Sequence, residues 1–186
     1  MSKLIYFTPT SLDGFLAGEN DSMDWSAPND EVYTLINDLH RPIGTYLYGR
    51  NNYETMKVWQ TPEVLPDQTP DMLDFARIWQ AADKIVYSKS LATVSTPKTR
   101  LEREFEPQAV RDLKNQLPHD LSVAGSNLAA QAIGAGLVDE IHLLVVPFIL
   151  GRGKRVLPEN VQVKLELLDE RRLGNGWVYL RYQTRV

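Results

Sequence analysis

Residues 121–158, LSVAGSNLAAQAIGAGLVDEIHLLVVPFILGRGKRVLP, place strand, small-residue turn, helix and strand in immediate succession. Leu121–Val123 is a short apolar run ending in Ala124-Gly125-Ser126. Ser126 is placed to cap a helix, because its hydroxyl can accept from a free N–H of the first turn. Leu128, Ala132, Ile133 and Leu137 then recur at helical spacing, and Gly134 and Gly136 mark the helix end. Ile141–Pro147 is an almost unbroken apolar run, the pattern of a strand covered on both faces. In a parallel sheet, a strand-to-helix turn offers free backbone N–H groups and the positive end of the helix dipole to a phosphate. Taken alone, Ala124-Gly125-Ser126 reads more simply as a tight connection into a capped helix.

Working outward, Lys3–Thr8 reads as a buried first strand, with Pro9 stopping its pairing. Ser11-Leu12-Asp13-Gly14 is a turn, Phe15–Gly18 a short extension, and residues 19–28 are polar and irregular around Trp25 and Pro28. A helix starts at Asn29 or Asp30 and runs to about Leu39, with Val32, Leu35, Ile36 and Leu39 on one face. Thr45–Tyr48 is a second strand ending at Gly49-Arg50, after which Asn51 or Asn52 can cap a helix carrying Tyr53, Met56 and Val58. Three prolines in residues 60–70 make a surface loop, and Asp71 caps a segment through Ala82. Ile85–Tyr87 is a third strand, ended by Ser88-Lys89-Ser90. Residues 91–106 carry no clear pattern; Glu106–Leu117 is an amphipathic helix stopped by Pro118. Val161–Leu168 and Trp177–Thr184 read as antiparallel strands joined through Gly174-Asn175-Gly176. The order is that of an α/β fold, a mainly parallel sheet with an antiparallel C-terminal hairpin, in a single domain over 1–186.

The 186 residues suffice for one domain with a real core. A net charge of −4 argues against a general nucleic-acid or acidic-membrane binder. With no cysteine, disulfides and thiolate chemistry are excluded. No signal-like or membrane-spanning apolar run stands out, so a cytoplasmic location is expected. His40, His119 and His142 are scattered without helix-spaced partners, so no metal site is expected; His40 and His119 read as surface or helix-end histidines. His142, in a strand, reads as a packing or hydrogen-bonding residue. G-x-G-x-x-G after a strand, the P-loop and G-x-S-x-G are all absent. The basic turn Gly151-Arg152-Gly153-Lys154-Arg155 is read equally as solvated or as a phosphate contact.

Three strands nonetheless end in small polar residues, two of the turns carrying a basic residue. Five motifs in order resemble the dihydrofolate reductase superfamily: Ser11-Leu12-Asp13-Gly14; the segment 23–30 with Trp25 five residues before Asp30; Gly49-Arg50-Asn51-Asn52-Tyr53-Glu54; Ser88-Lys89-Ser90; and Ala124-Gly125-Ser126-Asn127-Leu128. The resemblance covers nearly the whole chain and implies that family's three-layer α/β/α fold. Pro147-Phe148-Ile149-Leu150-Gly151-Arg152-Gly153 replaces the acidic-aromatic segment of folate reductases. It looks instead like the P-x-x-L-G-x-G of the riboflavin-biosynthesis reductase (RibD C-terminal) domains.

That resemblance implies an NADPH-dependent oxidoreductase reducing a C=N or imine-type bond in a pteridine- or ribosylamino-pyrimidine-like small molecule. The alternatives are a non-catalytic NADP(H)-binding module of the same fold and a true dihydrofolate reductase. Arg50 with the N–H groups of Asn51 and Asn52 would hold one phosphate, and Gly49 opens that turn. Ser88, Lys89 and Ser90 would meet the 2′-phosphate, Lys89 favouring NADPH over NADH. Ala124, Gly125, Ser126, Asn127 and Leu128 would hold the diphosphate. Thr8, Pro9 and Asp13 fall at the nicotinamide end, where Pro9 replaces a backbone N–H that the family uses. Asp30 is the candidate catalytic and substrate-anchoring carboxylate, with helix capping as its plainer role. Trp25 is assigned to the substrate pocket. Tyr48 and Tyr53 line it or belong to the core. A homodimer is expected, with Ile141–Phe148 and the terminal hairpin as its interface.

Overall fold

The strands, in chain order, are β1 (Leu4–Ser11), β2 (Phe15–Ala17), β3 (Ile43–Gly49), β4 (Asp83–Tyr87), β5 (Thr99–Glu102), β6 (Asp120–Ala124), β7 (Glu140–Val146), β8 (Lys154–Arg155), β9 (Lys164–Arg172) and β10 (Val178–Arg185). The helices are α1 (Asp30–His40), α2 (Arg50–Met56), α3 (Pro70–Ala81), α4 (Pro107–Gln116) and α5 (Ser126–Gly134). This computed structural model describes residues 1–19 and 22–185; Asn20 and Asp21 of the polar segment 19–28 lie outside the described residues, as does Val186.

Eight strands form one sheet in the order β5-β4-β3-β6-β1-β7-β10-β9. The first six run parallel, and β10 and β9 are antiparallel, as the expected α/β architecture requires. Alternation along the buried strands sends residues to opposite faces. Leu4, Tyr6, Leu47, Ile85 and Val123 pack with Val110 of α4 and Ala129, Ala132 and Ile133 of α5. Ile5, Tyr46, Tyr48 and Val86 pack with Phe75 and Trp79 of α3. Val32 and Leu35 of α1 join Leu144, Val146 and Tyr179. Both faces are thus covered, which is why these strands read as continuous apolar runs.

Pro9 does not stop β1. Lys3 C=O accepts from Leu121 of β6 and Leu4 C=O from Asp139, beside β7, so odd residues of β1 face β6. Pairing with β6 ends at Tyr6–Val123, whereas pairing with β7 continues to Ser11–Val146. Pro9 faces the side where the ladder has already ended, so its missing N–H costs no strand hydrogen bond.

Several caps differ from expectation. Asn29 Oδ1 accepts from Val32 N at 3.1 Å, so Asn29 caps α1 and Asp30 does not. Gly49, without a side-chain bond, precedes α2; neither Asn51 nor Asn52 caps it. Thr69, not Asp71, caps α3. Gly125 occupies the N-cap of α5 and Ser126 is its first residue, with no side chain closing the turn. The unpatterned stretch 91–106 supplies β5, a parallel edge strand. The hairpin's first strand begins at Lys164 rather than Val161 and is exposed at every residue but the half-buried Asp169. Its register shifts between Arg181 and Tyr182, leaving Leu168 without a partner residue and breaking the expected alternation. His40 ends α1 as expected but is buried.

Candidate functional site

The parallel strands all end on the same sheet edge, so the turns after β3, β4 and β6 become neighbours. They enclose a cleft of about 510 Å³ lined by Gly49, Arg50, Asn51, Asn52, Ser88, Lys89, Gly125, Ser126, Asn127 and Leu128. Ser90 joins it through Arg50 Nη1, which donates to Ser90 Oγ at 2.9 Å. Ala124 is the last residue of β6 and leads into Gly125.

Three features make this cleft a cradle. Gly125 has φ of +92°, and a Cβ there would lie 3.6 Å from Asn52 Cβ. The backbone of this turn therefore needs glycine and keeps α5's first N–H groups open to the cleft. Next, Asn52 Oδ1 is buried and has no hydrogen-bond partner among the described residues. It is an acceptor facing the need for a donor. Finally, four basic residues, Arg50, Lys89, Arg103 and Lys154, line the space.

Arg103 and Lys154 were not assigned to the site by sequence reasoning, nor were Tyr87, Glu104, Phe105 and Gln131. Arg103, Glu104 and Phe105 follow the unrecognised β5. The alternation in Thr99-Arg100-Leu101-Glu102 was the available signal. Arg103 Nη1 donates to the carbonyls of Ser88 at 3.1 Å and Leu91 at 2.6 Å. Ser88 Oγ accepts from Ser90 N at 3.3 Å and Leu91 N at 3.0 Å. The turn after β4 is therefore held from within and from below. Lys154 comes from the basic Gly-rich turn, where β8 pairs with β2. In the same turn Arg152 pairs with Glu19 and Arg155 with Glu159.

Thr8, Pro9, Asp13, Trp25 and Asp30 are not part of this cleft's lining. Thr8 and Pro9 lie in the last half of β1, next to β6 on the same sheet edge. Asp13 ties two loops together: Oδ1 accepts from Ser11 Oγ at 2.6 Å and Leu150 N at 3.0 Å, and Oδ2 from Gly151 N at 2.7 Å. The Ser11 hydroxyl, then these N–H groups, hold its pKa down at about 2. Gly153 completes the closure, since a Cβ there would meet Ala17 O at 2.1 Å. The P-x-x-L-G-x-G segment is thus fastened to the turn after β1.

Trp25 stacks on Phe148 of that segment, with ring centroids 5.8 Å apart. Its Nε1 is buried without a partner among the described residues. Asp30 is exposed at the first position of α1. Its neighbour Glu31 accepts from Gly174 N at 2.7 Å, which ties the N-terminus of α1 to the hairpin tip. Tyr48 and Tyr53 belong to the core: Tyr48 OH accepts from Trp79 Nε1 at 3.0 Å, and Tyr53 OH from Ser95 N at 2.9 Å. No group of His, Cys, Asp or Glu among the described residues could hold a metal ion.

Comparison with known proteins places this architecture. The family described as the RibD C-terminal domain matches residues 2–179. The Bacillus subtilis (strain 168) protein YyaP is 27% identical over 192 residues, covering 97% of this chain and 94% of that protein. A crystal structure of a riboflavin biosynthesis protein, so described provisionally, from Shewanella sp. PV-4 superposes with a TM-score of 0.77 at 19% identity, covering 99% of both chains. The Thermotoga maritima diaminohydroxyphosphoribosylaminopyrimidine deaminase/5-amino-6-(5-phosphoribosylamino)uracil reductase gives 0.68 at 13% identity. That match covers 99% of this chain and 57% of the Thermotoga chain. At these identities the two structures share the fold.

Proposed function

Since this chain belongs to the RibD C-terminal domain family, we propose that it is an NADPH-dependent reductase of a pyrimidine- or pteridine-like small molecule. The observation that carries the reading is the meeting of three strand-end turns in one basic cleft. The residues present fit the cofactor. Arg50 and the N–H groups at the start of α2 suit one phosphate, and the open N–H groups of α5 beside Gly125 suit the diphosphate. Asn52 Oδ1 needs a donor, which a ribose hydroxyl supplies. Lys89 supplies a cation for a 2′-phosphate. When bound, NADPH provides a hydride.

The remaining tasks fall to the chain. Asp30, free of the capping role, presents a carboxylate to an amidine-like ring edge and can pass a proton to a C=N nitrogen. Trp25, stacked on Phe148, is the aromatic side chain we assign to the substrate pocket. The match to the RibD C-terminal domain family favours a ribosylamino-pyrimidine-like substrate over folate.

The test is a thermal-shift titration. Saturating NADPH at a hundredfold excess over Kd stabilises the native state by about 2.7 kcal/mol. Arg50→Ala should require a higher concentration for the same shift. An unchanged melting temperature at millimolar NADPH overturns the proposal. Pro9 favours the alternative of a non-catalytic nucleotide-binding module, because it removes one N–H at the nicotinamide end. NADPH binding without oxidation across pterins, pyrimidines and ribosylamino-pyrimidines would establish that alternative.

The reading includes a second copy of the chain. β9 leaves Leu165, Leu167 and Leu168 between 36% and 48% exposed on the outer strand of the sheet. We take these exposed leucines as part of the surface a second copy would cover. Sedimentation should give twice the 21.2 kDa chain mass, and Leu167→Glu should return it to the monomer. A monomeric wild-type protein at tens of micromolar would rule the dimer out.

A further inference from the structure

Among the described residues lining the cleft, Glu104 is the single acid. Its Oε1 lies 3.2 Å from Lys89 Nζ. The two arginines nearby have bonds of their own. Arg103 Nη1 is spent on the Ser88 and Leu91 carbonyls, and Arg50, which gives one Nη1 bond to the Ser90 hydroxyl, serves the turn after β3 with its remaining donors. The N–H groups of Ser90 and Leu91 are taken by Ser88 Oγ. Lys89 is therefore the cation that the turn after β4 presents to a ligand, and Glu104 already holds it.

We propose that Glu104 sets the dinucleotide preference of this cleft. The inference rests on the reading that the cleft binds NADPH. A 2′-phosphate that takes Lys89 must displace the Glu104 carboxylate and then sit beside a like charge. A ribose 2′-hydroxyl can instead donate to Glu104, leaving the Lys89 pair intact. Glu104 thus opposes the preference that Lys89 creates and narrows the gap between NADPH and NADH.

The experiment measures Kd for NADPH and NADH, by fluorescence or calorimetry, in the wild type, Glu104→Gln and Lys89→Gln. Both side chains are mostly exposed, 79% for Lys89 and 62% for Glu104. Melting without ligand checks that each variant folds as the wild type does. Glu104→Gln should tighten NADPH by about two- to fivefold, the range for an exposed charge pair, and leave NADH unchanged or weaker. Lys89→Gln should weaken NADPH selectively. The NADPH gain should shrink at high salt, where exposed charges are screened. An unchanged NADPH:NADH ratio in Glu104→Gln overturns the assignment while leaving the reductase reading standing. A wild type that binds neither dinucleotide overturns both.

Discussion

Glu140→Ala is expected to lower the free energy of unfolding by about 3 kcal/mol, the cost of removing one partner from a buried ion cluster. The Glu140 side chain is 4% exposed and bonds three groups. Arg181 donates through Nε at 2.8 Å and Nη2 at 3.0 Å, Lys3 Nζ at 2.7 Å, and His142 Nε2 lies at 2.9 Å. His142 is neutral at ordinary pH because burial lowers its pKa, against the raising effect of Glu140. Its Nε2–H therefore faces the carboxylate, and its Nδ1 accepts from Tyr179 OH at 3.1 Å. Without Glu140 the His142 N–H is buried and unsatisfied, while Arg181 and Lys3 partly regain water.

Burial alone would raise the Glu140 pKa. The hydrogen bonds from Arg181, Lys3 and His142 outweigh it and bring the value from 4.5 to about 2. A depressed carboxylate pKa stabilises the native state above 4.5, and that contribution is lost as pH falls toward 2. Urea denaturation at pH 7 and at pH 3 checks both parts. The variant should lose stability at pH 7 and show a shallower decline on acidification. A change below about 1 kcal/mol at pH 7 contradicts the argument. Glu140 begins β7, at the sheet edge opposite the cleft, so NADPH binding by the folded variant should be unaltered.

Acid should destabilise the wild type earlier, through His40. This side chain is 8% exposed. It lies among the rings of Phe7, Tyr46 and Phe75 and bonds Ile36 O at 2.8 Å. Burial lowers its pKa from 6.5 to about 4; the Ile36 carbonyl opposes the shift, and His142 adds to it once acid has protonated it. Between these values the unfolded chain binds a proton that the native state refuses, so stability rises with pH across this window. The loss on going from pH 7.5 to 4.5 is about 2–3 kcal/mol, and His142 acts in the same direction. His40→Phe should flatten the slope between pH 6.5 and 4.5, whatever it does to stability at pH 7.5. An unchanged slope in that variant would remove His40 from the account.

Both predictions concern groups that sequence reading passed over. His40 stood at a helix end, and a helix-end histidine is ordinarily solvated. It is buried here because α1 packs its last turn against β1, β3 and α3. Glu140 stood at the margin of an apolar run, and its partners Lys3 and Arg181 lie 137 and 41 positions away in the chain.

Local information determined a great deal. Apolar runs located the cores of five of the six parallel strands, and the junctions Gly49-Arg50, Ser88-Lys89 and Ala124-Gly125 marked the strand ends. Periods of two and 3.6 residues are properties of neighbouring side chains, so they are legible in one dimension. The family resemblance likewise lay in short contiguous motifs. Caps were less legible, because Asn29 or Asp30, and Gly125 or Ser126, satisfy the same preference, and the backbone angle decides between them. Pro9 was misread for a related reason. Whether a missing N–H interrupts a strand depends on which neighbour that N–H would face, and β6 had already ended. β5, and with it Arg103 and Glu104, was passed over because an edge strand buries too little to carry an apolar run, and its four-residue alternation is a weak signal. Only the tertiary structure brought Glu104 to Lys89, fifteen residues earlier in the chain, and so put an acid in a cleft that the sequence had presented as basic.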